Sequence, residues 1–154
     1  EVPLWVAWIE RLFASDRWRD ALDAAEKATD ALPHQVRLWM LKGRVLRALS
    51  RYEDAVEVYE HVLRVNPHHA AAWNAKGAAL AELGKRDDAL HCFQQATETT
   101  PTDGYGWYRM GVILIELGRY EEALRALTKA AALRADDKRI ALKLNEVRRR
   151  LQGA

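Results

Sequence analysis

The side chains able to do chemistry are few and scattered. His61, His68 and His69 lie close in sequence, the last two in a loop after Pro67. A metal site needs three or four ligands in closed geometry, and no carboxylate or thiolate stands beside them at matching spacing. No metal ligand is therefore assigned. Cys92 follows His91 directly, but neighbouring residues on a helix point in different directions and cannot act as a nucleophile–base pair. Asp87 and Asp88 suit the first turn of a helix, where the dipole favours acid without any acid–base role. Gly104, Gly106 and Gly111 do not make a phosphate-binding GxGxxG, and no other phosphate loop exists. Arg148, Arg149 and Arg150 are consecutive, so they fan around a helix, and no aromatic residue stands among them for base stacking. The chain is read as a non-enzyme without cofactor or metal.

Two groups are better placed. Arg37, Arg44 and Arg47, spaced by seven and three, share one helix face. Tyr105, Tyr108 and Arg109 share another. Arginine grips carboxylates bidentately, and Tyr and Arg are favoured anchors at interfaces. This chemistry points to binding.

The elements that carry these residues recur. Trp39, Gly43, Leu46, Leu49, Tyr52, Ala55, Tyr59 and Pro67 return 34 residues later as Trp73, Gly77, Leu80, Leu83, Arg86, Ala89, Phe93 and Pro101. They return again as Trp107, Gly111, Leu114, Leu117, Tyr120, Ala123 and Leu127, with Ala135 in the Pro slot. One period earlier stand Trp5, Leu12, Trp18, Ala21 and Pro33, with Ile9 where glycine belongs. A fixed period of this length marks a stacked repeat array. Mid-helix glycine costs about 0.5–1 kcal/mol relative to alanine. Three of them in register imply close helix approach, expected at Ala55, Ala89 and Ala123. The tryptophans are expected to be anchors, each costing about 3–5 kcal/mol on truncation if buried.

The pattern resembles the tetratricopeptide repeat (TPR) family, over about residues 2 to 137. The resemblance implies an all-α, right-handed superhelical solenoid of four helix pairs, 2–35 (degenerate), 36–69, 70–103 and 104–137, with a capping helix over 138–154, all one domain. Asp16 is expected to cap the second helix. Ser50 with Glu53 is expected to form a capping box, Asp103 to cap a later helix, and Gly84 and Gly118 to end two others.

In this family the first helix of each pair lines a concave groove where ligands bind. That implies a groove bearing Arg37, Met40, Arg44, Arg47, Asn74, Tyr105, Tyr108, Arg109 and Val112. Small side chains at Ala71, Ala75 and Ala78 leave room between the two polar groups. The expected function is a scaffold or adaptor for a peptide or helical segment with acidic and apolar groups. A subfamily that captures chaperone C-terminal carboxylates uses Lys and Asn at set groove positions, and only Arg109 fits that pattern here. The competing expectations are a self-assembling structural module and the substrate-recruiting arm of a larger enzyme. Self-association would use the apolar face of Trp5, Trp8 and Ile9, covered either by an upstream segment or by a second copy.

With 24 Lys and Arg, 22 Asp and Glu and a net charge of +2, the 154-residue chain carries no charge excess that would draw nucleic acid. No run reaches the ~18 apolar residues of a membrane span. A single cysteine, Cys92, excludes an intrachain disulfide and favours the cytoplasm.

Overall fold

The computed structural model describes residues 1–153, and among them are nine α-helices and no strand. They are α1 (Val2–Ala14), α2 (Trp18–Ala31), α3 (Val36–Ala48), α4 (Tyr52–Val65), α5 (Ala70–Glu82), α6 (Arg86–Thr99), α7 (Gly104–Glu116), α8 (Tyr120–Leu133) and α9 (Lys138–Gln152). Each odd helix pairs with the even one after it. Each even helix packs in turn on the next odd helix, giving a solenoid of four pairs closed by α9. No described helix is long and apolar enough to cross a membrane.

The turn inside each pair is built the same way. Asp16, Ser50, Gly84 and Gly118 occupy one position of the 34-residue frame, and all four have φ between 55° and 73°. The next residue then donates its N–H to a carbonyl on the preceding helix, from Arg17 to Leu12, Arg51 to Leu46, Lys85 to Leu80 and Arg119 to Leu114, at 2.9–3.0 Å. This bond satisfies a free carbonyl at the end of the first helix. Asp16 and Ser50 are thus the left-handed residues of the turn, and the expected cap at Asp16 and capping box at Ser50 do not form. The N-cap residues of the second helices are Arg17, Arg51, Lys85 and Arg119, and none makes a side-chain cap. Three of these reach forward to a first-turn acid instead, Arg17 to Asp20, Arg51 to Asp54 and Arg119 to Glu122. Asp103 does cap α7, its Oδ1 accepting from the Tyr105 amide at 3.0 Å.

The repeated tryptophans fasten one pair to the next. The indole Nε1 of Trp39, Trp73 and Trp107 donates to the carbonyl of Pro33, Pro67 and Pro101 respectively, at 2.7–2.8 Å. The proline that ends one pair is therefore the acceptor for the next. All three indoles are half-buried, so they are partial anchors and not the fully buried ones their size suggested.

The glycines face something other than the expected alanines. A methyl group on Gly43 would lie 2.5 Å from the Tyr59 ring, on Gly77 2.9 Å from Phe93, and on Gly111 2.6 Å from Leu127. These large side chains, 0–1% exposed, occupy the space that each glycine vacates. Ala55, Ala89 and Ala123 are fully buried too, but none of them supplies the atoms nearest a glycine.

The cap is held by charge as well as by Ile140, Leu144 and Val147. Asp137 accepts from the Arg139 amide and side chain and lies 3.5 Å from Arg134. The Arg139 guanidinium holds the Asp137 carboxyl down to about 2, against a smaller opposing effect of desolvation. A carboxyl depressed on folding stabilises above its ordinary value near 3.8 and ceases to do so as pH falls toward 2. Amide exchange of α9 is expected to accelerate between about pH 4 and pH 2 ahead of α4 and α6, and Asp137→Asn is expected to abolish that pH dependence.

Candidate peptide-binding groove

Three first helices supply the site. Asn74 on α5 donates from Nδ2 to Asp103 Oδ2 at 3.2 Å, while the other Asp103 oxygen caps α7 at Tyr105. One turn on, Arg109 Nη2 donates to the Tyr105 hydroxyl, and its guanidinium lies 4.9 Å from the Tyr105 ring centre. Asn74, Asp103, Tyr105 and Arg109 are thus linked across two repeats. With Arg47 of α3 they rim a depression floored by Ala71, Ala75 and Ala78. The small side chains at these frame positions make the hollow.

Two buried polar atoms beside it have no hydrogen-bond partner, Arg47 Nε and Asn74 Oδ1. Unsatisfied buried polar atoms are costly and are paired in most structures. Arg47 also lies near the Tyr59 hydroxyl, which burial pushes above its ordinary value while the Arg47 charge acts in the opposite sense. Arg109 has five N–H donors, and Tyr105 takes one of them.

A second depression adjoins the first and shares Tyr105 and Arg109 with it. Tyr108, Val112, Glu82, Glu116, Arg86 and Arg139 also stand around it. Two of its arginines are paired, Arg86 with Glu116 at 2.8 Å and Arg139 with Asp137 at 2.7 Å. The Arg139 guanidinium stands 5.6 Å from the Tyr108 ring centre, so the cap helix walls this end.

The structure brings together Arg47, Asn74, Tyr105, Tyr108, Arg109 and Val112 from the residues expected on the groove. It separates the others. Arg44 turns toward α1, 3.9 Å from Glu10 and 4.9 Å from the Phe13 ring centre. Arg37 is exposed and lines neither depression. Met40 packs against the core beside Trp39. The arginine stripe on α3 therefore splits, because Arg44 is drawn to Glu10 and Phe13 of α1 while Arg47 faces α5. Sequence reasoning missed Asp103, Arg86 and Arg139 as rim residues. Spacing marks Asp103 only as a cap and Arg139 only as a solvating charge.

The terminal apolar face also needs correction. Ile9 is 0% exposed and belongs to the core under α2. The open face is Leu4, at 76% exposed, with Trp8 at 48% and half-buried Trp5 tilted against Trp8 at 5.5 Å. Cys92 is buried, and burial pushes its thiol up to about 11, which leaves almost no thiolate near neutral pH. No group of His, Cys, Asp or Glu among the described residues could hold a metal ion.

A family model described as tetratricopeptide repeat matches residues 6–60 and 75–140, and a second of the same description matches 35–101. No curated protein matches the sequence. Among solved structures, MamA 41-end from Desulfovibrio magneticus RS-1 is 22% identical, with a TM-score of 0.87 over 97% of this chain and 85% of that one. TTC0263, a thermophilic TPR protein in Thermus thermophilus, is 22% identical with a TM-score of 0.78, covering 90% and 77%. YrrB, described as a TPR protein with an unusual peptide-binding site, is 26% identical with a TM-score of 0.79, covering 92% and 73%.

Proposed function

This chain belongs to the tetratricopeptide repeat family, and we propose that it is a non-catalytic protein-interaction scaffold whose concave groove binds a peptide or helical segment carrying acidic and apolar groups. Its repeat units are 2–35, 36–69, 70–103 and 104–137, followed by the cap, and together they act as one binding body. The observation that carries this reading is the depression rimmed by Arg47, Asn74, Tyr105 and Arg109 from three different first helices. Its cations can pair with carboxylates, its alanine floor admits apolar side chains, and its tyrosines offer rigid contact area. The peptide-binding site named for YrrB lends support from a similar fold.

An array of short synthetic peptides tests it. Peptides alternating Asp or Glu with Leu or Phe are expected to retain the protein, and versions with Lys in place of each acid are not. Equal retention of both sets, or of neither, would sink the reading.

A further inference from the structure

The charges around the hollow between α3, α5 and α7 determine which anion suits it. Arg47 and Arg109 are the only arginines of the chain that are not exposed. Both rim this hollow, and neither is paired with a carboxylate among the described residues. A half-buried guanidinium without a counter-charge is costly. The other polar groups are donors as well. Arg109 gives one N–H to the Tyr105 hydroxyl, whose own proton is left to give. Asn74 directs one of its two Nδ2 hydrogens to Asp103 and keeps the other. The group that completes such a hollow is a negatively charged acceptor.

One negative group already stands there. Asp103 is the only acid among the lining residues, so the formal balance of Arg47, Arg109 and Asp103 is one positive charge. Its two oxygens are held by the Tyr105 amide and by Asn74. The adjoining hollow, which shares Arg109, brings two more acids, Glu82 and Glu116. Attraction to this field grows in proportion to the charge of a ligand group, whereas the cost of taking that group out of water grows with the square of its charge. A carboxylate matches a balance of one positive charge. A phosphorylated side chain carries about −1.5 to −2 near neutral pH. Relative to a carboxylate, a full dianion doubles the attraction but about quadruples the desolvation cost. Its second charge also faces Asp103.

We propose that this hollow takes a single carboxylate side chain and rejects a phosphorylated residue, and that Asp103 sets the choice. The selectivity rests on the groove reading proposed above, whose ligand it narrows to a carboxylate. Asp103 can lose its charge and keep its contacts, because Asn and Ser also cap helices. In Asp103→Asn the Asn74 amide is free to turn over. Its Oδ1, which has no partner in the unaltered hollow, then accepts from the substituted side chain. The balance rises to two positive charges, which suits a dianion.

The probes are a short blocked peptide alternating glutamate with leucine, and copies in which one glutamate at a time becomes glutamine or phosphoserine. The glutamine scan finds the glutamate seated in the hollow. At that position phosphoserine is expected to bind the unaltered chain at least about tenfold more weakly than glutamate, and elsewhere to differ by less than about threefold. Asp103→Asn and Asp103→Ser are each expected to narrow the gap to less than about threefold or to reverse it, with unchanged helix content. Calorimetry reads the ratio of the two affinities, which a purely structural loss would leave where it was. Phosphoserine that binds the unaltered chain as well as glutamate does at that position overturns the proposal and leaves the groove reading standing. So does a ratio that neither Asp103 variant moves, which would reduce Asp103 to a helix cap. A peptide in which every glutamate can become glutamine without loss overturns the groove reading itself, and the selectivity with it.

Discussion

Phe93→Ala is expected to lower stability by about 3–5 kcal/mol, the usual loss for emptying a fully buried aromatic site. The more telling result is its coupling to Gly77. Phe93 is 1% exposed, and a methyl group on Gly77 would come within 2.9 Å of its ring. Gly77→Ala alone is therefore expected to destabilise by about 1–3 kcal/mol through overpacking, despite the better helix propensity of alanine. In the Phe93→Ala background the same position has room. The first repeat already contains that arrangement in reverse. There Ile9 stands at the glycine position and Ala25 at the position of Phe93, and both are 0% exposed in one core cluster. Bulk has moved from the second helix to the first with the total roughly conserved. Gly77→Ile combined with Phe93→Ala is expected to recover at least about half of the stability lost by Phe93→Ala alone. Urea unfolding followed by circular dichroism measures the unaltered chain, Gly77→Ile, Phe93→Ala and their combination, with Gly77→Ala beside them. Additive losses in the double variant would show that the two positions do not share one space.

That exchange marks the limit of what is legible in the sequence. The period, the helix pairs and the left-handed glycines at 84 and 118 are readable because each repeats in register. Taken one helix at a time, Ile9 is a defect in the frame and falls on an open face. The compensation lies on the facing helix, at Ala25, and shows only when Gly43 is set against Tyr59, Gly77 against Phe93 and Gly111 against Leu127. Asp16 and Ser50 mislead for a related reason. Both residue types favour helix N-caps, but Asp also tolerates left-handed backbone, and the frame shared with Gly84 and Gly118 decides the matter. On the groove, residue type is a fair guide and direction is not. Spacing by seven puts Arg37 and Arg44 on one stripe, whereas neighbouring helices determine where each guanidinium rests. Arg44 lies over Phe13 on α1. Arg139 joins the site from the cap because α9 closes one end of it.

The separation of Arg44 from Arg109 makes the groove reading testable by one charge change at two places. Arg109 rims both depressions, is fixed by the Tyr105 hydroxyl, and keeps donors free. A carboxylate seated there meets a charge that is half-buried and pre-oriented, so its hydrogen bonds are worth about 1.5–3 kcal/mol. Arg109→Glu is then expected to weaken an acidic peptide selected from the array by about tenfold to a hundredfold. Adding Arg47→Glu, across the alanine floor, is expected to remove measurable binding. Arg44→Glu alters net charge as much as Arg109→Glu does, but its side chain is about half exposed and faces Glu10. Screened surface charges of that kind are worth about 0–1 kcal/mol, so less than about a fivefold loss is expected. Titration calorimetry at two salt concentrations reads both effects. The Arg44 deficit is expected to vanish at about 0.5 M salt, while that of Arg109 persists, because a contact partly shielded from water is screened less. Equal losses for the two variants, fading together with salt, would mean that the peptide senses only the overall field of the array and that the groove is not its seat.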